Sequence, residues 1–330
     1  MAVALDVLTR VVKIQVGAAR FVAGGSDSGG KGTISDVDFP ALRFYTELAG
    51  TRFEGPKPYP EWIETEVLFD VPHPSGGHKL CSFLACAYGA PFLHEGDEKG
   101  TPTFVFGGNG VDFLSGLSFS YIQTSNNGMD WSQTFTYPSF SYVYAMTFDA
   151  VDNAFYAAMI HGPGGNATNE VLLKSRSGKS WSEVGRQVIE GGVKYTSLLE
   201  PHCSDRIKNE ANQPLPSGLY GYDAGKQILI APHPTPFWHG TLGGEGPNIQ
   251  IQTTDEEGNK HIAITPLAGF ERVNAVAFAG GIWQAAGFSP GDAGTGIIAT
   301  SIDDGRTWDM AFTSATKSHG VSVICGTEDL

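Results

Sequence analysis

Two segments carry the residue types that most often bind metal. Pro72-His73-Pro74 is followed by His78, and Pro232-His233-Pro234 by His239. Histidine is a frequent ligand because a neutral ring nitrogen donates a lone pair near pH 7. Proline beside histidine is equally what a fixed turn needs, since it locks φ. Spacing alone leaves both readings open, and we expect proline-fixed turns and no metal. Paired acids occur at Asp36/Asp38 and Glu64/Glu66. Residues two apart on a strand share a face, so each pair could split acid and base roles. Solvated strand acids explain them better. No GxSxG or HExxH string is present, and Gly24 to Gly32 runs into a strand pattern rather than a phosphate-cradling helix start. No catalytic residue and no cofactor is expected from these strings.

The elements that would position such side chains are strands. Glycine supplies 43 of 330 residues, and charged residues only 17 per cent. A glycine-rich chain of aromatic and β-branched segments reads as many short strands joined by tight turns. The net charge of −14 argues against a nucleic-acid partner, which needs a basic face. No apolar run spans a bilayer, so no membrane partner is expected. The start Met1-Ala-Val-Ala-Leu-Asp6 lacks a basic n-region. We therefore expect synthesis in the cytoplasm without a signal peptide, and four reduced, mostly buried thiols at Cys81, Cys86, Cys203 and Cys325. Asn166-Ala-Thr168 marks a surface loop.

One frame repeats. Ser301-Ile-Asp303-Asp-Gly305-Arg-Thr-Trp308 recurs at Thr124–Trp131, at Lys174–Trp181 and, decayed, at Thr254–His261. Glycine at Gly128, Gly178, Gly258 and Gly305 supplies a φ > 0 turn position. An acid or amide two before it, Asn126 or Asp303, can accept turn N–H groups. Trp131, Trp181 and Trp308 can cover the hairpin. Upstream of the turns lie strand pairs: Val11–Gln15 with Arg20–Ala23, Thr65–Phe69 with Leu80–Ala85, Val143–Phe148 with Phe155–Ile160, Leu219–Tyr222 with Gln227–Ile230, and Val273–Phe278 with Ile282–Phe288. Four strands, A to D, repeated about five times predict an all-β fold, a β-propeller of four-stranded antiparallel blades. One domain over 1–330 is expected. Its blades lie near 10–50, 62–137, 141–191, 217–266 and 272–314, with strand 320–326 closing the ring. Six blades follow only if the insertions supply a further hairpin.

Antiparallel order puts A–B and C–D turns on one rim and B–C loops with D–A connections on the other. The two histidine segments then fall on opposite rims, one as an A–B turn and one as a B–C loop. His94, His161, His202, His233, His239 and His319 fall on the loop-rich rim with Glu200 and Trp238. From these, His161, His202, Asp205, Arg206, His233, Trp238 and His239 form a candidate binding patch.

The repeated frame resembles the Asp-box (BNR) repeat, SxDxGxTW, of the sialidase-like superfamily. The match at 301–308 is complete and the others are partial. The resemblance implies a propeller and allows several functions, among them structural propellers of tailed phages. A sialidase-like hydrolase would need three arginines on one carboxylate, a Tyr–Glu pair and an acid. Arg52, Arg206 and Arg272 are the candidates, yet the Phe-Arg-Ile-Pro motif is absent; Leu42-Arg43-Phe44 lacks the proline. The first expectation is therefore a non-catalytic structural and recognition module, a phage virion component of tail or adsorption apparatus. It would contact other structural proteins or a surface glycan within a larger assembly. The alternatives are a sialidase-like glycoside hydrolase and an intracellular assembly factor.

Overall fold

A computed structural model describes residues 19–27, 42–48, 62–67, 79–94, 97, 100–112, 117–128, 130–137, 141–162, 169–189, 198–204, 207–208, 214–234, 246–291, 295–313 and 319–327. All strand pairing among them is antiparallel. The first seven strands are β1 (Ala19–Asp27), β2 (Leu42–Leu48), β3 (Trp62–Val67), β4 (Lys79–Gly89), β5 (Thr103–Asp112), β6 (Leu117–Ser125) and β7 (Ser132–Tyr137). A second group is β8 (Ser141–Asp149), β9 (Ala154–His161), β10 (Asn169–Ser175) and β11 (Ser182–Val188). A third is β12 (Gly221–Asp223), β13 (Ile228–His233), β14 (Asn248–Thr254) and β15 (Lys260–Pro266). The fourth is β16 (Arg272–Ala279), β17 (Ile282–Phe288), β18 (Gly296–Ser301) and β19 (Asp309–Thr313), followed by β20 (His319–Gly326).

These strands build a β-propeller, as expected, but in four hydrogen-bonded sheets and not five. The difference sits at one residue pair. Ser26 of β1 bridges Ser82 of β4, so β3-β2-β1 and β4-β5-β6-β7 run on as one eight-stranded sheet, with β20 also on β1. The other three sheets have four strands each. β20 pairs with β1 from Phe21↔Gly326 to Asp27↔His319.

A second correction concerns β3. It pairs with β2, from Leu42↔Val67 to Glu47↔Trp62, and not with Leu80–Ala85. β4 takes β5 along its whole length, from Lys79↔Asp112 to Gly89↔Thr103. β4 and β5 therefore form an A–B hairpin. The connection from β3 to β4 becomes a D–A connection. Residues 11–15 and the histidines at 73 and 78 lie outside the described residues. The other strand pairs follow the expected partners, with Phe148↔Phe155, Tyr222↔Leu229 and Phe278↔Trp283 in register.

The innermost strands share a device that spacing does not reveal. Register shifts occur between Phe83/Ala85 in β4, Val143/Ala145 in β8 and Val273/Ala275 in β16. A bulge at this level re-aims one side chain per strand, namely Leu84, Tyr144 and Asn274. Asn274 Nδ2 donates to the Val321 carbonyl of β20 at 2.8 Å, tying two innermost strands together. Between the sheets the core is tightly packed. Phe21, Ala23 and Trp62 pack on Ala275, Ala277, Ala279 and Ala286. Alanine lets sheets approach closely, and each large ring buried between them contributes about 2–3 kcal/mol.

Candidate functional site

The turns show how the repeated frame works and where it varies. At the last copy, Thr300↔Asp309 is the closing pair, so residues 301–308 form the loop. The Ser301 hydroxyl receives the Gly305 N–H at 3.0 Å and donates to Asp303 at 2.9 Å. Asp303 also accepts the Thr307 N–H at 2.9 Å and its hydroxyl at 2.7 Å. Burial works to raise the Asp303 pKa, but these bonds outweigh it and hold the carboxyl below its usual value. Trp308 donates to the Gly305 carbonyl at 2.9 Å.

The copies at 125–131 and 175–181 are one residue shorter, closed by Thr124↔Ser132 and Lys174↔Ser182. The long loop has two consecutive left-handed residues, Asp304 (φ 61°) and Gly305 (φ 79°); among the described residues the short ones have only Gly128 (73°) or Gly178 (71°). Asp304 is thus the extra residue. This shifts the expected alignment: Asn127, not Asn126, stands where Asp303 stands. Asn127 Oδ1 accepts the Asp130 N–H at 2.9 Å, while Asn126 Nδ2 reaches Pro102 O at 2.8 Å. Trp131 and Trp181 bond the Gly128 and Gly178 carbonyls at 3.2 and 2.9 Å. The fourth copy is another turn: Thr254↔Lys260 closes it, and Asp255 binds the Asn259 N–H at 2.7 Å and His261 at 3.1 Å. Gly258 keeps its positive φ of 86°, but His261 lies in β15 and does not replace the tryptophan.

Around the turn at 175–181 the surface opens into a cleft of about 530 Å³. Phe92, Leu93, His94, Asp152, Asn153, Arg176 and Ser177 line it. Three turns of one rim meet there: β4–β5, β8–β9 and β10–β11. The β4–β5 segment is held in place. Asn153, itself left-handed at φ 52°, accepts the Phe92 N–H at 3.1 Å and donates to the Phe92 carbonyl at 2.9 Å. Asp97 accepts the N–H groups of Leu93 and His94 at 3.1 and 2.8 Å. Thr101 N–H closes the loop on Pro91 O at 2.9 Å. Phe92 and Leu93 stay 51 and 41 per cent exposed. Arg176 is exposed and makes no hydrogen bond or ion pair among the described residues.

Asp152 joins the cleft to a polar seam on one face of the β8–β11 sheet. The Tyr156 hydroxyl donates to Asp152, and Lys174 Nζ lies 2.5 Å from the same oxygen. The Lys174 bond, then the Tyr156 bond, hold the Asp152 carboxyl below its ordinary value. Burial first, and Asp152 second, raise the Tyr156 phenol. His202 stacks flat on Tyr156, centroids 3.6 Å apart, and reaches Asp149 at 3.1 Å. Deeper in the same sheet the re-aimed Tyr144 donates to Glu170 at 2.7 Å, and Gln187 donates to the other carboxylate oxygen. Glu170 is 0 per cent exposed.

The expected patch is not gathered in one place. His161 ends β9 beside Ser141, whereas His202 meets Asp149 at the far end of the same hairpin, where Asp149 pairs with Ala154. Seven residues at roughly 3.3 Å each separate the two ends by about 20 Å. His202 and His94 therefore sit on the turn rim, against expectation. His94 moved because β4–β5 is an A–B hairpin; His202 moved because the segment 198–203 packs back over Ala145, Tyr156 and Leu172. His161 packs edge-on to Tyr137, and His233 ends β13 opposite Asn248, both at the loop-rich end. Arg272 begins β16 at that end too. Asp205, Arg206, Trp238, His239 and Arg52 lie outside the described residues, so Arg272 is the one described arginine of the expected three. With β3–β4 a D–A connection, the topological reason for placing the two histidine segments on opposite rims no longer holds. Among the described residues no three His, Cys, Asp or Glu side chains are placed to hold a metal ion, and no helix is long and apolar enough to cross a membrane.

The Tyr144–Glu170 pair and the cleft were both missed by sequence reasoning. An aromatic-rich Tyr-Val-Tyr run was the only local signal for the former.

No family description and no curated protein matches the chain. Solved structures similar to it include a Trypanosoma rangeli sialidase in complex with the inhibitor DANA, at TM-score 0.32 and 10 per cent identity, over 92 per cent of this chain and 42 per cent of the sialidase. The chain thus spans less than half of that protein. The native Bacillus subtilis arabinanase gives 0.26 and 10 per cent, over 67 per cent of this chain and 76 per cent of the enzyme. An N-acetylgalactosamine deacetylase from F. plautii, in complex with blood group B trisaccharide, gives 0.29 and 10 per cent, over 93 and 94 per cent.

Proposed function

We propose that the protein is a non-catalytic recognition module that binds a glycan in the cleft of the turn rim. One observation carries this: an exposed aromatic ring, Phe92, in a loop fixed by Asn153 and Asp97, lines the same cleft as Arg176, a guanidinium with no hydrogen bond or ion pair among the described residues. A ring face packs on the C–H face of a sugar, and a planar guanidinium grips hydroxyl or carboxylate oxygens in pairs. Lys174 and Tyr156 bind Asp152, and among the described lining residues Arg176 is the cationic side chain left without an ion pair. Acidic oligosaccharides should bind more tightly than neutral ones of equal size. A printed panel of neutral and acidic oligosaccharides tests this. Binding weakened by Phe92→Ala supports the reading, and no binding across the panel refutes it.

We place this module in a phage virion, in tail or adsorption apparatus, where it would also contact other structural proteins. The support is the Asp-box resemblance and a chain poor in charge, at 17 per cent of residues. Co-purification with particles at fixed stoichiometry is the expected result; an intracellular assembly factor would show none. The hydrolase reading has one observation in its favour, the Tyr144–Glu170 hydrogen bond, since that chemistry uses a Tyr–Glu pair. Complete burial of Glu170 supports a structural role for the pair. Turnover of aryl glycosides that is lost in Tyr144→Phe would reverse this preference.

A further inference from the structure

We infer that Cys86 and Cys325 are a thiol pair that an oxidising thiol–disulfide couple closes into a disulfide, fastening β20 to β4. Cys86 lies in β4 and Cys325 in β20, two innermost strands that pack together. Both belong to one core cluster with Val22, Phe83, Phe104 and Val323. Within that cluster Cys325 is the neighbouring group that acts on the Cys86 thiol. On the other side of Cys86 stands Gly218, at φ 81°. A Cβ there would come within 2.6 Å of the Cys86 sulfur. Cys203 belongs to a separate cluster and donates to Leu199 O at 3.6 Å.

β20 is the strand on which this placement matters. It pairs with β1 and packs on β16 and β17, so it binds the first and last sheets by non-covalent contacts alone. A bond to β4 would turn that closure into a covalent one. Burial first, and the Cys325 contact second, hold the Cys86 thiol well above its ordinary pKa. A protonated, buried thiol does not attack disulfides, so the closed fold stays reduced until β20 lifts or while the chain is folding. The exchange then balances. One thiol loses its proton and attacks oxidised glutathione, giving a mixed disulfide and one glutathione. The second thiolate attacks the protein sulfur of that bond, forming Cys86–Cys325 and releasing the second glutathione. Two protein thiols are oxidised and one small disulfide is reduced.

The test is to refold the full chain from urea in oxidised and reduced glutathione, quench with acid, and map peptides without reduction. The expected result is a linked peptide pair holding Cys86 and Cys325, loss of the mass of two hydrogens, and Cys81 and Cys203 still reactive to iodoacetamide. The thermal midpoint should rise, and dithiothreitol should abolish the rise. Cys86→Ser should remove the link; should that variant fail to fold, Cys325→Val carries the same comparison. Separate glutathione adducts, a link through Cys81 or Cys203, or an unchanged thiol count after refolding would overturn the inference.

Discussion

The hairpin turn at 301–308 and the one at 175–181 share a frame and differ in what they leave unspent. In the first, Ser301, Asp303, Thr307 and Trp308 bond within the turn, and even the extra residue Asp304 is paired with Lys226 at 2.6 Å. In the second, serines replace the acid and the threonine, Ser177 accepts one long bond from Lys179 N–H at 3.2 Å, and Arg176 is left facing a cleft. Both glycines approach the preceding sheet: a Cβ on Gly305 would meet Ile230 at 2.6 Å, and one on Gly178 would meet Val105 at 2.9 Å. The glycine and the tryptophan therefore seat the turn on its neighbour. The side chains between them are free to do something else once the acid is gone. A repeat that is complete is structural; a repeat that has drifted is where function can enter.

This contrast can be broken in several ways. The largest effect is expected at the far end of the strand that leads into the open turn. Glu170→Leu strips an acceptor from both Tyr144 and Gln187 in a buried sheet face, and two such losses should cost about 3 kcal/mol, read as a lower urea midpoint. Next comes the closed turn. Asp303→Ala removes the acceptor of three hydrogen bonds and should cost about 2 kcal/mol, whereas Ser177→Ala should cost no more than about 0.5 kcal/mol. Equal losses in these two variants would erase the distinction between the turns.

Acid titration sharpens it further. The Asn259 side chain and N–H, and then His261, hold the Asp255 carboxyl down at about 2. A depressed carboxyl contributes stability that is fully present above the unfolded value of about 3.9 and is lost as pH falls through the folded value. The window for Asp255 thus runs from about 3.9 down to about 2. Asp255→Asn should lose less stability than the parent chain between pH 5 and pH 2. An identical pH slope would show that the variant turn at 255–259 is not held by this carboxylate.

The fold was legible where local chemistry repeats. Glycine, tryptophan and a strand pair on either side define the sheets ending in β7, β11 and β19 without any long-range knowledge. Two errors came from the same source. The pairing of β3 was misjudged because Thr65–Phe69 and Leu80–Ala85 are adjacent in sequence and both strand-like, while its real partner, β2, precedes it. His202 was misplaced because a segment that returns across a sheet face carries no local sign of its direction. The Asn126/Asn127 shift was hidden because one residue can be removed from a loop with the glycine and tryptophan kept in step. The seam of Tyr144, Glu170, Tyr156 and His202 was invisible for a plainer reason: cross-strand neighbours exist only once register is known.

The most direct test compares the two turns as binding surfaces. Calorimetric titration with the tightest acidic oligosaccharide of the panel should show Arg176→Ala weakening binding about tenfold, a loss of about 1.4 kcal/mol, with thermal stability unchanged. Arg306→Ala, on the exposed flank of the closed turn, should bind like the parent chain. Unchanged affinity in Arg176→Ala, or an equal loss in both variants, would contradict the assignment of recognition to the open turn.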